Sequence, residues 1–156
     1  EKQGEFQHII WPEHCLVGTL GATLDATISQ ALYNWTTHTN KNVHTISKGI
    51  YPLTEHFGIF EAQVQLDNIP DTQLNTLLLE ELNQFDRLVI AGEARSHCVA
   101  TSVKQILAHC PSLAKKTTLL TDCMSDVTGL GYLANPIFEN AQVMGVQFTT
   151  STDFLF

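Results

Sequence analysis

Cys98 is the residue best placed to do chemistry. It follows the apolar run "RLVIA" and the short turn "GEAR", and it lies at the start of the helical stretch "SHCVATSVKQILAHC". Ser96 is a candidate N-cap, which sets Cys98 in the first turn of that helix. The unbonded N–H groups and the dipole of a first turn favour an anion there, and the anion is the nucleophilic form of a thiol. The same N–H groups can hold the oxyanion of a tetrahedral intermediate. A buried, inert Cys at a helix start is the plainer use of the same residue, and the segment alone leaves both uses open. Lys48 comes just after "NVHTIS" and just before Gly49. Beside a thiol it would stabilise the thiolate or relay a proton; otherwise it is a solvated surface residue.

His14 and Cys15 stand together in "WPEHCLVGTLGA". Each could offer a metal ligand, but adjacent side chains seldom point at one ion, so at most one of them binds. The alternative is a structural His beside a buried Cys. His8, His38, His44, His56, His97 and His109 show no HxxxH or HxH spacing. Cys110 and Cys123 read as core, and the four cysteines form no CxxC pair, which argues against a zinc ribbon or a disulfide scaffold.

The elements that must position these residues alternate between strand and helix. Strands are expected at 6–10, 42–47, 86–92, 117–122 and 146–150. The run 86–92 is almost wholly apolar, as in a strand buried on both faces of a parallel sheet. Helices are expected at 24–39 with Thr23 as cap, at 71–85 with Asp71 as cap, at 96–110 stopped by Pro111, and from about 136 to 144, ended by Gly145. Their apolar stripes are Leu24, Ile28, Leu32 and Trp35; Leu74, Leu77, Leu78, Leu82 and Phe85; and Val99, Val103, Ile106, Leu107 and Cys110. Ser151 is expected to cap a short terminal turn. Such alternation across short loops predicts one α/β domain over 1–156, a parallel sheet with helices on both faces. Its sites belong at the carboxyl ends of the strands, which is where Lys48 and Cys98 fall.

Eight Lys and Arg against sixteen Asp and Glu give a formal charge of -8, a balance that repels phosphate backbones and argues against nucleic acid as a partner. No apolar run approaches the ~20 residues that span a bilayer, and reduced thiols suit a cytoplasmic setting. The chain opens on "EKQGEFQHII" without Met, which reads as a piece of a longer protein.

Taken together, "WPEHCLVGTLGA", "SKG" and "VIAGEARSHCVATSV" resemble the isochorismatase-like cysteine hydrolases, on their nicotinamidase side, in order and spacing. "LLTDCMSDV" and "GVQFTTSTDFL" extend the resemblance over nearly the whole chain. It implies a three-layer α/β/α fold and a small-molecule amide hydrolase with an Asp, Lys and Cys catalytic set. Cys98 would be the nucleophile and Lys48 the lysine. The N–H groups of Ala94 and Cys98 would form the oxyanion hole, and Glu93–Ala94 would be the family's non-proline cis peptide. His14 would match a ligand of a divalent metal, zinc or similar. The family's base Asp and the remaining metal ligands, an Asp and two His, lie upstream of the Trp-Pro motif. The chain is therefore expected to be the carboxyl-terminal part of a longer hydrolase, lacking the first strand, with the missing segment as a partner in the folded, homo-oligomeric protein.

Two departures touch the substrate pocket. The family's Thr-Asp-Tyr/His before the Cys is Arg95-Ser96-His97 here, and its Tyr-Ser-x-Phe is Phe57-Gly58-Ile59-Phe60. They leave the substrate open. Hydrolysis of an isochorismate-like vinyl ether, or a non-catalytic binding role on the same fold, are the other functions that the resemblance allows.

Overall fold

The computed structural model describes residues 9–155; the expected strand at 6–10 falls mostly outside them. Two compact units divide the chain, Glu1–Ile46 and Ser47–Phe156. Among the described residues no helix is long and apolar enough to cross a membrane.

The first unit is built on α1, Ala26–Thr39. Asp25 caps it, its carboxylate accepting the Thr27 N–H at 2.8 Å. Thr23, the expected cap, turns its hydroxyl back to the Leu20 carbonyl, because a 3-10 turn over Leu20–Ala22 already engages it. Asn40 ends α1 in the left-handed region. The expected strand at 42–47 does not form. A strand's N–H and C=O groups need a ladder partner, and the segment has none among the described residues.

In the second unit a 3-10 turn at Pro70–Thr72 precedes α2, Thr76–Asn83. The cap is Asn75, accepting the Leu78 N–H at 3.0 Å, so Asp71 belongs to the turn and the helix starts later than its sequence suggests. Leu78 and Leu79 are buried, whereas Leu77, expected in the stripe, is 75% exposed. Then come β1, Leu88–Ile90, a π-helical turn at Arg95–Val99, α3, Ala100–His109, and β2, Thr117–Leu120. α4, Asn135–Val143, and β3, Gln147–Thr149, complete the unit. Gly145, at φ 101°, supplies the left-handed residue that ends α4. Ser151 does not cap the terminal turn: Thr150 accepts the Asp153 N–H, and Ser151 bonds to Asp122.

The sheet is parallel in the order β1-β2-β3, with Leu88 against Thr117 and Leu119 against Phe148. Strand alternation sends Leu88, Ile90, Leu119 and Phe148 to one face. There Ile90, Leu119 and Phe148 meet α3 and α4 through Val103, Leu107, Phe138 and Ala141. A second cluster joins α2 and α3 through Phe60, Leu79, Ile106 and Leu113. Within this unit the packed helices cover that one face, and Val89 on the other is 40% exposed. Cys110 and Cys123, expected in the core, are half-buried.

Leu119 is wholly buried at the centre of the sheet. Leu119→Ala should cost about 2–5 kcal/mol in urea unfolding of the intact protein, while Leu77→Ala should stay within about 0.5 kcal/mol. Equal effects would contradict this placement of the core.

Candidate active site

Each parallel strand delivers its following loop to the same end of the sheet, and the loops after β1 and β2 are bonded to each other there. Gly92 N–H donates to the Cys123 carbonyl (3.0 Å) and Arg95 N–H to the Ser125 carbonyl (2.7 Å). The Glu93 carboxylate accepts both the N–H and the hydroxyl of Ser125, at 3.1 and 2.8 Å. Arg95 Nη1 bonds both oxygens of Asp126 at 3.0 Å, and Nη2 bonds Asn135 Oδ1 at 3.1 Å. Its guanidinium also lies over the Phe138 ring, 4.8 Å from the centroid. Ser96, the expected N-cap, is used differently: its buried Oγ accepts the Val127 N–H (3.0 Å) and bonds His97 Nδ1 (2.8 Å).

The loop ends in the π turn that carries Cys98. The Ala94 carbonyl accepts from both His97 N–H and Val99 N–H at 3.1 Å, and Ala100 N–H donates to the Arg95 carbonyl. Cys98 lies between the first two donors, in the first turn, where a helix leaves N–H groups without intrahelical acceptors. The peptide bond Glu93–Ala94 is cis.

Lys48 reaches this turn from an irregular segment, not from a strand end. Its Nζ donates to the His56 carbonyl at 2.9 Å and lies 3.5 Å from Cys98 Sγ. Residues fifty positions apart are thus brought together. An opening of ≈ 320 Å³ runs between them, walled by Ile59, Phe60, Val89, Ile90 and Ile106, with Glu93 and Ser102 as further polar groups. Among the described residues no carboxylate hydrogen-bonds to Lys48 or Cys98.

His14 belongs to the first unit and is exposed, its Nδ1 bonded to the Pro12 carbonyl at 2.8 Å. Cys15 beside it is exposed too, with φ 51°. Among the described residues no three His, Cys, Asp or Glu side chains converge to hold a metal ion, so these residues do not by themselves fit one.

Two histidines border the nucleophile's surroundings. His97 is 3% exposed and its ring packs on Phe57 at 5.4 Å. Burial lowers its pKa, against a weaker opposing pull from Asp126 and Glu55. His56 is also held below its ordinary value, by burial first and then by the Lys48 charge. The sequence placed Arg95 at the substrate pocket without its Asp126 partner and His56 only among histidines lacking metal spacing, and it did not single out Ser102 or Gln105. Spacing could have found the last two. Cys98, Ser102, Gln105 and His109 recur at helical intervals and make a polar seam on a helix otherwise apolar towards the core.

The fold is that of the isochorismatase-like α/β proteins. The particular likeness is to nicotinamidases. Over 140 residues the chain is 26% identical to the nicotinamidase of Saccharomyces cerevisiae, covering 88% of this chain and 57% of that protein. The crystal structure of the yeast nicotinamidase bound to the inhibitor nicotinaldehyde superposes with a TM-score of 0.66 at 20% identity, covering 92% of this chain and 60% of the other. The zinc complex of the pyrazinamidase of Pyrococcus horikoshii gives 0.53 at 20% identity, over 90% and 63%. The chain therefore spans a little over half the length of these relatives. No protein-family model matches it.

The buried histidines set a pH dependence. A histidine with a lowered folded pKa stays neutral in the fold while the unfolded chain takes up a proton near its ordinary value of 6.5. Stability is then complete above that value and is lost as pH falls through it. Urea unfolding of the intact protein should show stability falling from about pH 7.5 to about pH 5.5. His97→Gln should flatten part of that fall; an unchanged slope would remove His97 as its source.

Proposed function

We propose that this chain carries the nucleophile and the lysine of a small-molecule amide hydrolase. The observation that carries the reading is the Lys48 Nζ to Cys98 Sγ approach of 3.5 Å at the mouth of the helix. A thiol in a first turn beside an ammonium is placed to act as a nucleophile. The likeness to nicotinamidases supports the amide as substrate class.

In the proposed reaction the Cys98 proton passes to a carboxylate, an Asp supplied by polypeptide outside the described residues. The thiolate attacks the amide carbonyl carbon, and the N–H groups of Ala94 and Cys98 receive the developing oxyanion. The C–N bond breaks as the carboxylic acid returns the proton to the leaving nitrogen. Water, deprotonated by the same carboxylate, then attacks the thioester; the acid product leaves and the thiol is restored. Lys48 lies beside the sulfur as it attacks and again as it leaves the thioester. The four unbridged thiols fit a reducing compartment such as the cytoplasm.

Nicotinamide and pyrazinamide are the first substrates to try, with ammonia release as the readout. In the intact protein Cys98→Ala should lower turnover by on the order of a thousandfold or more, with the unfolding midpoint retained. Turnover that survives Cys98→Ala would overturn the assignment.

A further inference from the structure

We propose that Gln105 and Ser102 are positioning residues: by fastening the segment 56–61 to α3, they aim the Lys48 ammonium at the Cys98 thiol. The proposal rests on the reading of Cys98 and Lys48 as the reacting pair.

Lys48 is exposed, and a free lysine stem has many rotamers to lose. Its ammonium is placed by the His56 carbonyl, which accepts its hydrogen bond at 2.9 Å. That carbonyl lies in a segment with neither helix nor strand, so its position depends on what the segment is tied to. One tie runs to the start of α2, where Asn75 N–H donates to the Phe60 carbonyl at 2.7 Å; the side-chain ties to the segment's N–H groups at 59 and 60 run to one seam of α3. Ile59 N–H donates to Ser102 Oγ at 3.2 Å, and the same hydroxyl donates to the Cys98 carbonyl at 2.7 Å. One side chain thus touches the backbone of both the lysine's support and the nucleophile.

Gln105 makes the second tie. Its Oε1 accepts the Phe60 N–H at 3.2 Å and its Nε2 donates to the Glu61 carbonyl at 2.9 Å. This carboxamide is 5% exposed, and cutting a buried, satisfied amide leaves its partners unpaired, so the tie resists slipping. His109 adds a third contact, Nε2 to Glu61 Oε1 at 2.7 Å. Gly58 is the space that permits the arrangement: a Cβ there would fall inside the Gln105 carboxamide. The residue that departs from the Tyr-Ser-x-Phe pattern and the glutamine that fills the gap are therefore one device.

The test follows alkylation of the Cys98 peptide by iodoacetamide in the intact protein, by mass spectrometry across pH, beside thermal unfolding. Lys48→Met should slow alkylation at pH 7 about tenfold, and the deficit should narrow towards pH 10. Gln105→Met removes both amide bonds at similar volume and should reproduce much of that loss with the same convergence. The double variant should lose no more than Lys48→Met alone, since both act through one ammonium. Ser102→Ala and Gly58→Ala should shift the rate in the same direction, and they decide the matter if Gln105→Met fails to fold. A parental alkylation profile in these variants, or a loss that adds to that of Lys48→Met, overturns the positioning role while leaving the reacting pair intact. An unchanged rate in Lys48→Met itself overturns the pair, and the proposed function with it.

Discussion

A lysine on a long, exposed stem stays beside a thiol only if something rigid accepts its hydrogen bonds. Here that acceptor is the His56 carbonyl, and much of the second unit is arranged to hold it still. The core makes α3 rigid: Val103, Ile106 and Leu107 bury one side of it against the sheet and α2. The polar seam of the same helix is then free to bind backbone. A helix with an apolar face for folding and a polar seam for positioning serves both ends at once.

The nucleophile's loop is fixed by the opposite strategy. It has no helix to lean on until the π turn begins, so its anchors are backbone and side-chain bonds to a neighbouring loop. Glu93 and Arg95 point to Ser125 and Asp126, and Ser96 points to Val127. Parallel strands make this possible, since each ends where its neighbour ends. The loop bonds are partly exposed and individually modest. Their number, and the Phe138 ring beneath the Arg95 guanidinium, give the turn its geometry.

What was legible in the sequence follows from range. β1, β2, β3 and α4 answered to local pattern, because apolar runs and a left-handed Gly145 carry their own explanation. Cap positions did not: Asp25 and Asn75 win over Thr23 and Asp71 because preceding 3-10 turns consume the earlier candidates. The segment 42–47 has strand composition without a ladder, and composition cannot supply a partner. Lys48 and Cys98 were visible as residue types, but their meeting is a contact across fifty positions. The positioning seam was written at helical intervals and passed unnoticed, because Ser and Gln on a helix usually face water.

The π turn has a consequence of its own. Such a turn is what an α-helix becomes when it accommodates one extra residue. Each residue of an α-helix advances the side chain by about 100°, so deleting one residue between Arg95 and Val99 would leave α3 and its core contacts in place. With Ser96 or His97 removed, Cys98 would keep its place four residues before Ser102, in the column of Gln105 and His109. What would turn round the axis is the loop side, carrying Glu93 and Arg95 away from Ser125 and Asp126, so a change of length there would be felt first in the clasp between the two loops.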